Sequence, residues 1–189
     1  MRFHLVDRID SWSPYRRISG RKLTSGAEDL WQPAANGPML PPPLVLEALC
    51  QAGSWLVLLS TGHRKRAALL SLGEVSFHSD VEPGTVLLLD AEITSVSADA
   101  AVLDGTVWVA EDPMTGPERT VLTATGIMCA LIDAEQLDDP AATRRMGDQL
   151  ARSEPDTSHR HRHQVCADRY GAARPGSRPA GDDQLEQSG

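Results

Sequence analysis

Three cysteines in 189 residues, Cys50, Cys129 and Cys166, are too few and too scattered for a disulfide framework or a thiolate zinc site. A chain so poor in cysteine fits a reducing compartment, and the cytoplasm is the expected location. Positive charge is also short: 18 Lys and Arg stand against 26 Asp and Glu, a formal net charge of -8. That balance excludes the basic face by which nucleic acid is held, so no nucleic-acid partner is expected. Long apolar runs are missing too. Met1 to Asp10 carries charges among its apolar residues, unlike a signal peptide, and no later run has the length expected of a membrane span. A soluble, unexported protein with no membrane partner follows as the expectation.

The chain is long enough for one domain with a substantial core. Tyr15 to Thr24 mixes apolar and polar residues as a half-exposed strand does, after a turn at Ser13 and Pro14. Between Ser25 and Pro43 the prolines and glycines are dense enough to predict a long irregular loop. Leu44 to Thr61, LVLEALCQAGSWLVLLST, is apolar nearly all the way round, and a proline at its start suits a first helical turn. The spacing predicts a buried helix. Its polar residues Glu47, Gln51 and Ser54 stand at i, i+4 and i+7 and so share one stripe.

Strands are expected over Ala67–His78, Thr85–Ser97, Ala100–Glu111 and Arg119–Leu131, separated by turn residues such as Pro83-Gly84. In the last, Val121, Thr123, Thr125 and Ile127 alternate with Leu122, Ala124, Gly126 and Met128, the period of a sheet with one face on a core. One helix and four following strands predict an α+β architecture. Beyond Asp133 the bulky apolar residues thin out and Asp, Arg, Pro, Gly and Ser dominate. The domain is therefore expected to span 1–133, with 134–189 a polar, disordered tail in which a short helix over Ala141–Arg152 would need a partner to persist. The tract His159 to His163 near Cys166 is read as tail: its alternating arginines repel a cation, and no metal is expected.

Phe3-His4-Leu5-Val6-Asp7-Arg8 resembles the F-x-L-V-D-R opening of beta-hydroxyacyl-[acyl carrier protein] dehydratases. Met39-Leu40-Pro41, followed by Leu44-Val45-Leu46-Glu47-Ala48-Leu49-Cys50-Gln51, is similar to that family's V-M-P-G and L-I-L-E-A-M-A-Q. Gly73 to Phe77 and Val81-Glu82-Pro83-Gly84 look like its strand ending in V-x-P-G-D. These matches, in order, span roughly Phe3 to Leu131. The resemblance implies a hot-dog fold, a long central helix wrapped by a curved antiparallel sheet, and needs no cofactor.

In the resembled family a loop histidine abstracts the C2 proton of a 3-hydroxyacyl thioester while a helix carboxyl helps the C3 hydroxyl leave as water. Glu47 occupies the place of that acid, and burial on an apolar helix would raise its pKa and keep it protonated. The alternative is a buried Glu merely bonded to Gln51. Substrate contacts are implied for Gln51, Trp31 and Leu40, with burial in the core the alternative for Trp31. Trp55 fits a core or dimer-interface role better than substrate contact.

Two departures stand out. Counting back from Pro41, the family's loop histidine falls on Pro33, and no histidine occurs between His4 and His63. The family's glycine whose N–H holds the thioester carbonyl falls on Pro42, which has no N–H. His78 and His63 are the candidates to replace the base, with His4 behind them. Since hot-dog dehydratases join the His of one subunit to the acid of another, the chain is expected to pair with a His-bearing homologue or with itself. The carrier-bound thioester would dock on a local basic patch, such as His63, Arg64, Lys65 and Arg66, because the chain is acidic overall. A non-catalytic scaffold and a hot-dog thioesterase, whose helix carboxylate activates water, are the rival functions.

Overall fold

The computed structural model describes residues 4–111, 117–137 and 139–151. Strands β1 (Arg8–Ser13) and β2 (Arg17–Leu23) open the chain as a hairpin. Two three-residue strands follow, β3 (Gln32–Ala34) and β4 (Gly37–Met39). Helix α1 (Pro42–Ser60) leads to β5 (Lys65–Ser71), β6 (Glu74–Phe77), β7 (Val86–Val96), β8 (Ala100–Val109) and β9 (Arg119–Asp133). A short 3-10 turn at Ala134–Gln136 precedes helix α2 (Pro140–Leu150).

The main sheet runs β1-β2-β7-β8-β9-β5, with β6 also paired to β9, and every pairing is antiparallel. Register follows from burial. In β7, Leu87, Leu89 and Ala91 are fully buried, as are Leu103, Val107 and Val109 of β8, because these alternate positions all point to the side on which α1 lies. This is the α+β arrangement expected, a single long helix on a curved antiparallel sheet.

α1 begins at Pro42 and Pro43, whose missing N–H groups cost nothing in a first turn. It ends at Thr61, whose N–H bonds back to the Val57 carbonyl, and the positive φ of Gly62 turns the chain away. By length and composition alone α1 could cross a membrane, contrary to the expectation that no run is long enough. It is instead the core helix of this fold, with Leu49, Leu56, Val57 and Leu58 at 2% exposure or less.

Other expectations need correcting. The proline-rich segment Ser25–Pro43 is not wholly irregular: β3 and β4 form a separate hairpin in which Pro33 faces Pro38. Prolines are tolerated there because a two-stranded ribbon has no further neighbour needing their N–H groups. The single strand expected over Ala67–His78 is two, β5 and β6, with a register shift at Leu69/Ser71 where the edge bends. β1 had no strand signal in the sequence. α2 lies beyond Asp133, where the apolar pattern stops. It is capped by the Asp139 carboxylate, which accepts from the Ala141 N–H at 3.0 Å, and its Met146 and Leu150 pack against the core. The remainder of the expected tail, from 152 onward and including His159 to Cys166, lies outside the described residues.

The height of α1 above the sheet is set by Gly105 of β8. A Cβ there would stand 2.7 Å from both the Asp90 carbonyl oxygen and a Leu49 methyl. Gly105→Ala should therefore lower unfolding stability by about 1–3 kcal/mol, read as a fall in the urea midpoint. An unchanged midpoint would mean that α1 lifts without loss.

Candidate functional site

The polar stripe of α1 opens onto a cleft of about 340 Å³. Glu47, Gln51 and Ser54 line it from α1, Arg66 and Leu69 from β5, and Thr143 and Met146 from α2. The spacing seen in the sequence is thus what brings Glu47 and Gln51 together, four residues and about one helical turn apart. The Leu5 N–H donates to Gln51 Oε1 at 2.9 Å, so the other end of the amide, Nε2, donates to Glu47 Oε1 at 2.8 Å. The start of the chain thereby orients a carboxylate on the helix. With Oε1 engaged as an acceptor, Oε2 is the position at which a transferable proton would sit.

One premise of the sequence reading does not hold in the single chain. Glu47 is exposed, not buried, because the second turn of α1 presents its apolar residues to the sheet and its polar ones to the open side. Desolvation of the carboxyl would have to come from something laid over that side.

The other proposed contacts separate. Leu40 is 2% exposed in the core and ties β4 to the turn before β7 through its N–H on the Val81 carbonyl. Trp31 packs against the core, and its indole N–H donates to the Ser25 carbonyl at 2.9 Å. Neither lines the Glu47 cleft. Trp55 is a core residue, as expected, though its edge reaches the cleft wall.

The histidines are placed differently from their expected order. His78 Nε2 is within 2.9 Å of Thr123 Oγ1, across the β6–β9 pairing. His63 holds a left-handed φ of 65° beyond α1, with its Nε2 buried against Gly147 of α2. Neither shares the cleft. His4, ranked last from the sequence, does line it, next to the Leu5 amide that Gln51 holds. Its motif position, inside the opening phrase, was the available signal.

The residues of the expected basic patch make local contacts. Lys65 is paired with Asp133 at 2.9 Å, Arg66 turns into the cleft, and Arg64 Nε donates to the Thr61 carbonyl. No free N–H marks the start of α1: Pro41, Pro42 and Pro43 have none, and Leu44 N–H is bonded to the Pro41 carbonyl at 2.8 Å. Cys50 also lines the cleft, but burial, with Glu47 and Cys129 nearby, pushes its thiol up to about 12, which favours the neutral thiol near neutral pH. Among the described residues no cluster of His, Cys, Asp or Glu could hold a metal ion.

A FabA-like domain model matches residues 2–115, well over half of the chain. The chain belongs to the FabA-like family. It is 31% identical over 110 residues to the 3-hydroxyacyl-[acyl-carrier-protein] dehydratase FabZ of Natranaerobius thermophilus, covering 57% of this chain and 78% of that one. Against the enzyme of the same name from Moorella thermoacetica it is 34% identical over 126 residues, 66% of this chain and 87% of the relative. Among solved structures, a Streptococcus mutans protein bound to acetyl CoA superposes with a TM-score of 0.52 at 16% identity, over 70% of this chain and 94% of that one. A thioesterase family protein from Silicibacter pomeroyi also gives 0.52, at 22% identity, over 68% of this chain and 86% of its own. At such identities the structures establish the hot-dog fold alone.

α2 lies beyond the residues matched by the family model, yet it supplies part of the cleft wall. Gly147 lets it approach, since a Cβ there would stand 2.7 Å from His63 Nε2 and 3.3 Å from the Trp55 ring. Burial pushes the His63 imidazole below its ordinary value; Arg144 pushes it the same way and Asp148 opposes them. The unfolded chain then binds the proton more readily than the folded one, so stability present above pH about 6.5 is lost progressively as the pH falls from there through the lower folded value. Wild type should lose melting temperature below pH about 6.5 more steeply than His63→Asn, whose side chain tolerates the left-handed φ. Parallel curves would contradict this placement of the charge.

Proposed function

We propose that this chain is a 3-hydroxyacyl-[acyl carrier protein] dehydratase-like subunit of fatty-acid or polyketide assembly in the cytoplasm, and that its 1–133 region supplies Glu47 to a site shared with a His-bearing hot-dog homologue. The observation that carries this reading is a carboxylate oriented by Gln51 and Leu5 at an open cleft, in a chain whose loop base and helix-start donor are replaced by Pro33 and Pro42. An acid that is positioned but uncovered is half of an acid–base pair.

In the shared site the partner's imidazole takes the C2 proton, the C2 electrons form the new double bond to C3, and the C3–O bond breaks. Glu47 Oε2 donates its proton to the departing oxygen, which leaves as water. Gln51 keeps Oε1 engaged so that the proton faces the substrate. The partner surface laid over α1 supplies the desolvation that favours a protonated carboxyl. Contacts from Gln51 belong to this site; Trp31 and Leu40 act, on this reading, through the core that carries it.

A second reading rests on His4, which shares the Glu47 cleft. On it, two copies of the chain form a homodimer and each site uses its own His4 as the base. The scaffold and thioesterase alternatives both dispense with Glu47 as an acid for dehydration.

One set of assays separates these readings. The chain alone should give negligible conversion of a 3-hydroxyacyl thioester to the 2-enoyl product. Mixed with a His-bearing homologue whose own helix glutamate has been changed to glutamine, it should restore turnover. Glu47→Gln should then lower kcat by about 10²–10⁴ without weakening association. Robust turnover by the chain alone that His4→Gln removes would favour the homodimer. A change within about twofold on Glu47→Gln, only about 0.4 kcal/mol in barrier, would leave the scaffold. Release of free thiol without enoyl product would identify a thioesterase.

A further inference from the structure

We infer that α2 closes the far end of the Glu47 cleft and sets the length of acyl chain the site accepts, with Met146 as the gauge and Thr143 beside it. This rests on the reading of Glu47 as the group that meets the C3 hydroxyl of an acyl thioester.

The cleft follows α1 lengthwise. Glu47, Gln51, Ser54 and Leu58 line it at steps of three and four residues, so they form one row that runs about 16 Å along the helix at 1.5 Å per residue. The row changes character along its course. At the Glu47 end stand Gln51 and His4, the groups suited to a thioester head. At the other end stand Leu58 and Met146, with Thr143 and with Arg66 of β5, which begins just past the end of α1; the two apolar groups and the aliphatic stem of Arg66 are the surface an alkyl tail can lie on.

α2 is placed at that second end by two contacts. Gly147 lies against Trp55, in the fourth turn of α1, and against His63, just past its last residue. Both are on the Leu58 side of the helix, far from Glu47. Met146 precedes Gly147 and faces both the core and the cleft, so its flexible thioether is the part of α2 best suited to meet an acyl chain.

The wall is not locked in place. Thr143 is 2% exposed and lines the cleft, and its Oγ1 has no hydrogen-bond partner among the described residues; the same holds for His63 Nε2 at the same seam. Buried polar groups left unpaired oppose docking. α2 is therefore held by Met146 and Leu150 rather than by a hydrogen-bonded network, and a change at Met146 alters the wall directly.

The test is binding of saturated acyl-pantetheine thioesters of increasing length, followed by calorimetry on the full chain; such thioesters have no C3 hydroxyl to lose, so dehydration does not interfere. Each added methylene should tighten binding about fourfold until the tail meets α2, and then stop doing so. Met146→Ala should move that limiting length up by about two carbons or more, since it removes side-chain volume, and Met146→Trp should move it down. Circular dichroism and melting curves establish that all three proteins are folded. Absence of length-dependent binding, or one limiting length shared by all three proteins, overturns the inference. A shifted limit in a protein that shows no dehydration with any homologue leaves the gauge standing and removes the dehydratase reading.

Discussion

Everything in this fold depends on getting one nearly all-apolar helix against a sheet. α1 is too greasy to lie on a surface, and β8 admits it because Gly105 lets Leu49 come within contact of the strand backbone. That close approach fixes which way the helix faces. Once Leu49, Leu56 and Val57 are buried in the core, the stripe of Glu47, Gln51 and Ser54 is turned to the cleft beside β5 and α2. The position of the carboxylate is thus a by-product of core packing, and its orientation is a product of the N-terminal segment, whose Leu5 amide holds Gln51 in turn. Any change that lets α1 rotate or rise moves the acid with it.

The same packing leaves Glu47 at an open side of the chain. α1 offers its polar stripe outward, and the described residues leave Glu47 exposed there. Its N-terminus, where aligned N–H groups ordinarily hold developing negative charge, is capped by three prolines and spends its first N–H on the Pro41 carbonyl. The β3–β4 hairpin, which occupies the stretch resembling the family's histidine loop, carries Pro33 opposite Pro38 and no base. On the proposed reading, two of the family's three catalytic elements are replaced by proline while the third is oriented by its own hydrogen bonds. Simple decay would be expected to disturb all three alike.

Much of this was legible in the residues. The apolar run from Leu44 and the two-residue alternation of β9 fix helix and sheet because burial enforces those periods, and the i, i+4 spacing of Glu47 and Gln51 sufficed to pair them. Pro33 and Pro42, at the positions resembling the family's histidine and glycine, could be read directly, since both are questions of which residue type is present. What the sequence hid were features decided by tertiary contact. α2 has few apolar residues, and its docking depends on the small size of Gly147 against Trp55 and His63, which no periodicity encodes. β3 and β4 are too short and too rich in proline to signal strand. The arrival of His4 in the Glu47 cleft goes with the Leu5 amide meeting Gln51, a contact between residues 46 apart.

The central claim is that the Glu47 side of α1 is a surface completed by a different hot-dog subunit, and native mass spectrometry of the chain mixed in equal amounts with a His-bearing homologue tests it most directly. The account predicts a one-to-one mixed dimer as the dominant species, formed at the expense of each protein's own oligomers. A spectrum containing only the two separate homodimers would contradict it.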